Sequence, residues 1–137
     1  MKMWTILPII GDGTRDNPFR VKLPERLVTH PVLNKKVNEL AVSWVAIIPT
    51  GEDGKPIHKV ALVLIGTKSD DKIKEVKSMI ETEIVTNPEY ASEARKHVPN
   101  WGQKNELTKE EARMIGKRLD PKLPDNFVDI MDVAETP

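Results

Sequence analysis

The sequence predicts an α+β fold in which a small antiparallel sheet is covered by two or three helices. Two apolar runs, about 40–50 and 57–67, flank a spacer rich in Gly, Asp and Pro, which is typical of a β-hairpin with a long loop. Helical periodicity and capping signals follow the second run. Neither run alternates cleanly between polar and apolar residues, so both faces of the hairpin need cover, and Trp44 is predicted to be a core residue.

The composition limits the classes of function. A chain of 137 residues fits one domain, and the absence of cysteine excludes disulfides, thiolate catalysis and cysteine-based zinc sites. This composition suits a reducing compartment or a thermophile. Lys and Arg number 21, as do Asp and Glu, so no net field attracts nucleic acid or an anionic membrane. Bases nevertheless exceed acids in residues 1–50, whereas the segment from Asp125 carries acids alone.

The N-terminal apolar stretch does not indicate targeting to a membrane. It is short and is followed by Gly11-Asp12 instead of a small-residue cleavage site, so it is a poor signal peptide. No apolar run approaches the roughly 20 residues that cross a bilayer. We therefore expect a soluble protein or a part of a soluble assembly.

The first third of the chain predicts a strand followed by an arm. Residues 4–10 have the composition of a strand, and Pro8 lacks an amide donor, which places this strand at the edge of the sheet or beside a bulge. Residues 11–31 contain three prolines and two glycines with few apolar anchors. That pattern predicts an extended Pro-rich arm that lies on another surface.

Three helices are predicted after the hairpin. Ser69–Asp71 supplies an N-cap and two acids for a helix of about four turns. Asn87–Pro88 begins a short second helix. Thr108–Glu111 is a capping box that begins a third helix, which ends near Leu119. The segment 122–137 mixes acidic and apolar residues, and it either returns to the body or docks on a neighbouring molecule.

Two local patterns are similar to ligand-binding loops but depart from them. Residues 63–70 resemble the guanine-reading strand end of small GTPases, yet the chain has no Gly-rich phosphate loop. Residues 11–17 offer oxygens at alternating positions as calcium loops do, but Asn17 and Leu23 occupy the positions of the required Gly and Glu. An Asp-mediated turn is the favoured interpretation, and a cation near Asp12 and Asp16 remains an open alternative.

The remaining residue types do not form a catalytic pattern. His30, His58 and His97 are scattered, without the i, i+4 spacing of a metal-binding helix. We therefore expect no catalytic residue, no cofactor, no metal and no small-molecule substrate.

Several turn and strand sequences resemble a group of small proteins encoded among the virion structural genes of tailed phages and prophages of thermophilic bacteria. That group opens with a strand, a Gly-x-Gly-Thr turn and a Pro-Phe/Tyr-Arg segment, and continues into a hairpin. The resemblance spans most of residues 4–65 and thinly the third predicted helix. The matching sequences are Ile9–Thr14, Asn17–Arg20, Leu23–Pro24, Trp44–Thr50, Asp53–Pro56 and Leu107–Arg113.

The resemblance implies a non-enzymatic structural or assembly protein, such as an accessory capsid or tail protein. Its expected partners are copies of itself or other virion proteins, and its expected location is the virion or the cytoplasm of the host during assembly. The residues expected to contact partners are Arg15, Phe19, Arg20, Leu23, Leu27 and Trp101. The alternative is a small nucleic-acid-binding or regulatory module that uses the basic N-terminal half, although the balanced charge makes nucleic acid a less favoured partner.

Overall fold

The computed structural model of the chain describes residues 2–24, 43–99 and 106–133. Within them, four strands form one antiparallel sheet in the order β2-β1-β4-β3. The strands are β1 (Lys2–Ile10), β2 (Arg20–Val21), β3 (Ser43–Ile47) and β4 (Val60–Gly66). The helices are α1 (Asp70–Ile80), which a π-helical turn (Glu81–Val85) continues, α2 (Pro88–Arg95), α3 (Lys109–Leu119) and α4 (Phe127–Val133). The predicted α+β class is confirmed.

The predicted hairpin is present as β3 and β4, but its two strands differ in burial. Every residue of β4 is buried, so both of its faces are covered as expected. Trp44 in β3 is 42% exposed, and the prediction that it lies in the core is wrong. The reason is the position of β3, which is the last strand in the order and, among the described strands, pairs only with β4. Residues 40–42 of the predicted first strand lie outside the described residues.

The N-terminal strand β1 is flanked on both sides, which differs from the expected edge strand. It pairs with β4 from Lys2 to Pro8 and with β2 at Ile9 and Ile10. The Pro8 carbonyl accepts the Lys22 N–H at 2.8 Å, so the missing amide of Pro8 faces β2 and not β4. Pro8 has no N–H to donate back to β2. The β1–β2 ladder therefore ends there, and β2 is only a two-residue strand.

The described part of the predicted arm folds back on its own chain. Residues 11–19 form a loop, and β2 then pairs antiparallel with the end of β1. Val21 and Leu23 join the hydrophobic core. An extended Pro-rich arm is therefore not present in residues 11–24, and residues 25–31 lie outside the described residues.

The helix boundaries follow the predicted caps. The Asn87 side chain accepts the Glu89 N–H at 3.1 Å, with Pro88 in the first turn of α2. At the start of α3, Thr108 and Glu111 form the reciprocal capping box. Ser69 occupies the N-cap position of α1, but its side chain makes no capping hydrogen bond.

One face of the sheet packs against α3 and α4. A Cβ atom on Gly116 of α3 would lie 2.3 Å from the Phe127 ring and 3.1 Å from Leu62, so glycine permits the close approach of helix and sheet. Phe127 also meets Trp4 edge to face, with ring centroids 6.1 Å apart. The described part of the segment 122–137 thus returns to the body, since Phe127 and Val128 are buried.

Candidate functional site

Two loops meet at one end of the sheet and form its most distinctive surface. The first, residues 11–19, joins β1 to β2, and the second, residues 48–59, joins β3 to β4. A hydrogen bond from the Ile9 N–H to the Lys59 carbonyl, 2.8 Å long, ties the second loop to β1 beside the first. We call these two loops and the groove between them the loop-end surface.

The first loop is held by hydrogen bonds within itself. Oδ1 of Asp12 accepts from the Thr14 hydroxyl at 2.6 Å and from the Thr14 N–H at 3.0 Å. These bonds, the hydroxyl's first, lower the pKa of Asp12 below its ordinary value because they favour the charged carboxylate. The Asn17 carbonyl accepts the N–H groups of Asp12 and Gly13. The loop is therefore an Asp-mediated turn, and within the described residues no cluster of three or more His or acidic side chains could hold a metal ion.

Two glycines fix the path of this loop. Gly11 and Gly13 have φ angles of +105° and +84°, which favour glycine. A Cβ atom on Gly13 would lie 2.6 Å from the Phe19 ring, so the ring packs directly on the Gly13 backbone. Phe19 is thereby positioned at the mouth of the groove with part of its ring exposed.

The second loop extends beyond the hairpin and carries an exposed isoleucine. Its tip is ordered by the bonds from the Gly51 N–H to the Lys55 carbonyl, 2.9 Å, and from the Lys55 N–H to Oδ1 of Asp53, 3.0 Å. The next apolar residue, Ile57, is 61% exposed although its own N–H is bonded to the Pro49 carbonyl. An ordered loop therefore displays an apolar side chain to solvent.

The groove between the loops has a volume of about 390 Å³ and a mixed lining. Its apolar walls include Ile9, Phe19 and Pro56, and its charged rim includes Lys59 and Glu89. Such a lining suits an apolar side chain from a partner whose neighbours are polar. Among the described residues that line the groove, there is no pair of carboxylates and no nucleophile beside a base.

A histidine pair lies next to the groove. Nε2 of His58, which lines the groove, donates to the Leu119 carbonyl at 3.0 Å, a bond that assigns the proton to Nε2. The His97 ring stands at 90° to it, with centroids 5.8 Å apart, and Nδ1 of His97 is buried without a hydrogen-bond partner. Burial, and then the positive charge that His58 can carry, lower the pKa of His97. Nothing in the sequence relates His58 to His97, because they are far apart along the chain and only the fold brings them together.

Two of the six residues expected to contact partners, Arg15 and Phe19, lie on the loop-end surface, and a third, Arg20, begins β2 directly beside it. Arg15 and Arg20 are exposed and Phe19 is half-buried. One guanidinium nitrogen of Arg20 donates to Oδ1 of Asn17 and to the Pro18 carbonyl, each at 2.8 Å, so this arginine also closes the loop. Leu23 is 8% exposed and belongs to the core of its own chain, so it is not presented to a partner. The remaining two, Leu27 and Trp101, lie outside the described residues.

Four large apolar side chains outside the predicted arm are exposed among the described residues, and the sequence did not indicate this. They are Trp44, Ile57, Met114 and Ile130. Ile57 carries a signal that could have identified it: an isoleucine that follows directly on a Gly, Asp and Pro-rich turn has few ways to reach the core. Met114 and Ile130 lie on helices whose buried faces are set by other residues.

Of the helices in the described ranges, none combines the length and the apolar character needed to span a bilayer. Comparisons of the chain with protein-family models, with curated proteins and with solved structures found no match.

Proposed function

We propose that this chain is a non-enzymatic structural or assembly protein of a phage-like particle, and that it acts through protein–protein contacts at the loop-end surface. One observation carries the proposal. Three of the six sequences on which the resemblance to virion proteins depends, Ile9–Thr14, Asn17–Arg20 and Asp53–Pro56, lie in the two loops that form this surface or directly beside them. They supply most of the residues that line the groove, and Ile57 follows the last of them in an exposed position.

The order of the loops supports a binding role. Both loops are fixed by their own hydrogen bonds, so a partner would bind a preformed surface and little conformational entropy would be lost. Exposed apolar groups at the centre with charged residues around them are the usual composition of a protein interface. Ile57 and Phe19 supply the apolar part, and Arg15 and Lys59 supply charge at its border.

We propose that the loop-end surface, and not an extended arm, makes the contact with partners. An arm that wraps a neighbour needs residues 11–24 to be free of the body, whereas Val21 and Leu23 are buried in it. Deletion of residues 12–30 would therefore remove core side chains and would not test assembly separately from folding. Substitutions of exposed residues are the appropriate test.

The location that fits this function is the virion, or the cytoplasm of the host while particles assemble. The partners are other virion proteins or copies of the chain itself. Nucleic acid is a less suitable partner, because the two loops and β2 carry as many acids as cations. The cations are Arg15, Arg20, Lys55 and Lys59, and the acids are Asp12, Asp16, Glu52 and Asp53. A phosphate backbone binds best where cations cluster without acids between them.

The test is co-expression of the chain with capsid and tail proteins of tailed phages of thermophilic bacteria, followed by affinity purification and native mass spectrometry. We expect at least one of these proteins to form a complex with the chain, and Ile57→Lys to reduce the yield of that complex at least about tenfold, because it places a charge in an apolar contact. Ile130→Lys is the matched control. It changes another exposed isoleucine, 52% exposed on α4, and should leave the complex intact.

Both variants should fold, since substitution at an exposed position changes stability by about 0.5 kcal/mol or less. Circular dichroism verifies this. The proposal is wrong if no virion protein binds, or if the two variants bind equally well. A gel shift with DNA or RNA that weakens steeply with salt would instead favour the nucleic-acid alternative.

A further inference from the structure

The outer face of α3 carries an exposed methionine next to a shallow apolar depression. Met114 is 52% exposed, which is unusual for a long apolar side chain on a helix whose opposite face is buried. Met114 itself lines a depression of about 140 Å³, together with His97, Val98 and Pro99, which follow α2, and with Ile115 of α3. The exposed methionine is therefore part of the wall of this depression.

Charges of opposite sign stand at the two ends of this depression. Glu111 and Arg118 both line it, one in the first turn of α3 and the other in the last. They are separated by two helical turns, about 10 Å along the axis, with Met114 between them. A guanidinium nitrogen of Arg118 donates to the His97 carbonyl at 3.2 Å, which holds that charge at the rim.

This arrangement is complementary to itself. If two copies of α3 pack antiparallel about a two-fold axis, Glu111 of each copy faces Arg118 of the other. Met114 of each copy then lies over the depression of the other. We infer that a second copy of this chain docks on this face, and that the result is a two-fold symmetric dimer through α3.

A different protein would not need this symmetry. Here a single helix face carries an exposed methionine, an apolar depression and charges of opposite sign, which is what a contact between identical surfaces requires. Methionine suits such a contact because its unbranched side chain adapts to shallow depressions.

We call the proposed contact along Glu111, Met114 and Arg118 the seam. Two neighbouring charged residues of α3 pair with other groups of the same chain. Arg113 pairs with Glu110 on the same helix, and Lys117 pairs with Asp125 at 3.2 Å. Glu111 also caps its own helix through Oε1, which accepts the Thr108 N–H at 3.0 Å. A carboxylate accepts several hydrogen bonds, so capping is compatible with an Arg118 guanidinium from the second copy.

The contact is small, and the dimer should therefore depend on concentration. One helix face with its flanking residues buries less than the roughly 800 Å² per partner of a standard interface. This inference does not rest on the proposed function, because it concerns a different face and does not require any other protein.

Analytical ultracentrifugation of the full chain from about 1 to 500 µM tests the inference. We expect a monomer–dimer equilibrium whose dissociation constant rises at least tenfold in Met114→Glu, since the exposed position tolerates the change in the monomer. The matched control is Ile130→Glu, an equally exposed apolar residue outside the seam, which should dimerise as the parent does. A monomer over the whole concentration range would overturn the inference.

A charge-swap experiment distinguishes this geometry from any other dimer. Arg118→Glu alone places like charges opposite each other at both ends of the seam, and so does Glu111→Lys alone, so each should dissociate at least tenfold more readily. An equimolar mixture of the two variants restores two opposite-charge pairs, and we expect it to form a heterodimer that native mass spectrometry resolves. Circular dichroism shows that each variant is folded, which matters because Glu111→Lys removes a helix cap. Failure of the mixture to associate more tightly than either variant alone would overturn the two-fold arrangement.

Discussion

The two inner strands and the loop end of the sheet are stabilised by different means. In β4 every side chain is buried, and the strand is held by neighbours on both edges and both faces. At the loop end, the side chains of Asp12, Asn17 and Asp53 bond to groups a few residues away, while Ile57 stays exposed. Burial therefore determines the centre of this fold, whereas turn chemistry determines the loop-end surface.

The largest difference should appear between two isoleucines in adjacent strands. Ile65 in β4 is 0% exposed, whereas Ile47 in β3 is only partly buried. Replacing a fully buried isoleucine by alanine removes apolar contacts and leaves a cavity, and it lowers the free energy of unfolding by about 2–5 kcal/mol. We expect that result for Ile65→Ala and about 1 kcal/mol for Ile47→Ala, where part of the side chain already meets water.

Urea unfolding followed by circular dichroism measures both values. Equal losses of unfolding free energy in the two variants would show that β3 is as deeply buried as β4. The predicted difference between the centre and the edge of the sheet would then be wrong.

A smaller difference should separate two glycines of the loop end. Gly13 and Gly54 both have positive φ angles, +84° and +76°, so alanine is strained by about 1–2 kcal/mol at either position. At Gly13 the added Cβ also meets the Phe19 ring at 2.6 Å, whereas at Gly54 nothing lies within 4 Å. Gly13→Ala should therefore destabilise the chain more than Gly54→Ala.

The readout is the midpoint of thermal unfolding for the two variants, together with the fluorescence or NMR signature of the Phe19 ring environment. If both glycines tolerate alanine equally, the ring does not pack on the first loop, and the position of Phe19 in the groove would need another cause.

The smallest effect is expected from pH. The pKa of His97 in the folded chain lies below its usual value of 6.5, because burial and the nearby His58 disfavour the charged ring, although Glu93 opposes this. Below about pH 6.5 the unfolded chain therefore takes up a proton that the folded chain resists. The free energy of unfolding should fall as the pH drops from 6.5 towards the folded pKa, and should then level off.

His97→Gln removes this titration, and the difference in stability between parent and variant from pH 5 to 7.5 isolates it. The two curves should diverge in that window. Parallel curves would mean that His97 titrates alike in the folded and unfolded chains.

The sequence predicts the parts of this fold that local signals specify. Capping residues such as Asn87 and Thr108 locate helix starts because their hydrogen bonds reach only two or three residues. The hairpin of β3 and β4 is predicted by the same kind of local signal in its loop. Exposure of Trp44 could not be predicted, because both strands of the hairpin are apolar and only the strand order shows which one lies at the end of the sheet.

The candidate surface was partly predictable. Arg15, Phe19 and Arg20 were predicted to lie in an extended arm, whereas they lie in a loop and in β2, because a two-residue strand has no periodicity to detect. The proximity of His58 and His97, and the depression beside Met114, depend on contacts between elements far apart in the chain. No pattern within a single segment encodes such contacts.

Pro8 interrupts the β1 ladder, and this affects how readily the edge of β1 can associate with a strand of another molecule. An open strand edge can recruit the edge of another molecule and grow into fibres, and long apolar strands are the most prone to this. In β1 the outer edge receives β2 at one end, the Leu107 N–H bonds to the Trp4 carbonyl near the other, and proline occupies a position between them. A foreign strand would therefore find no continuous row of donors along the outer edge of β1, which disfavours edge-to-edge pairing there.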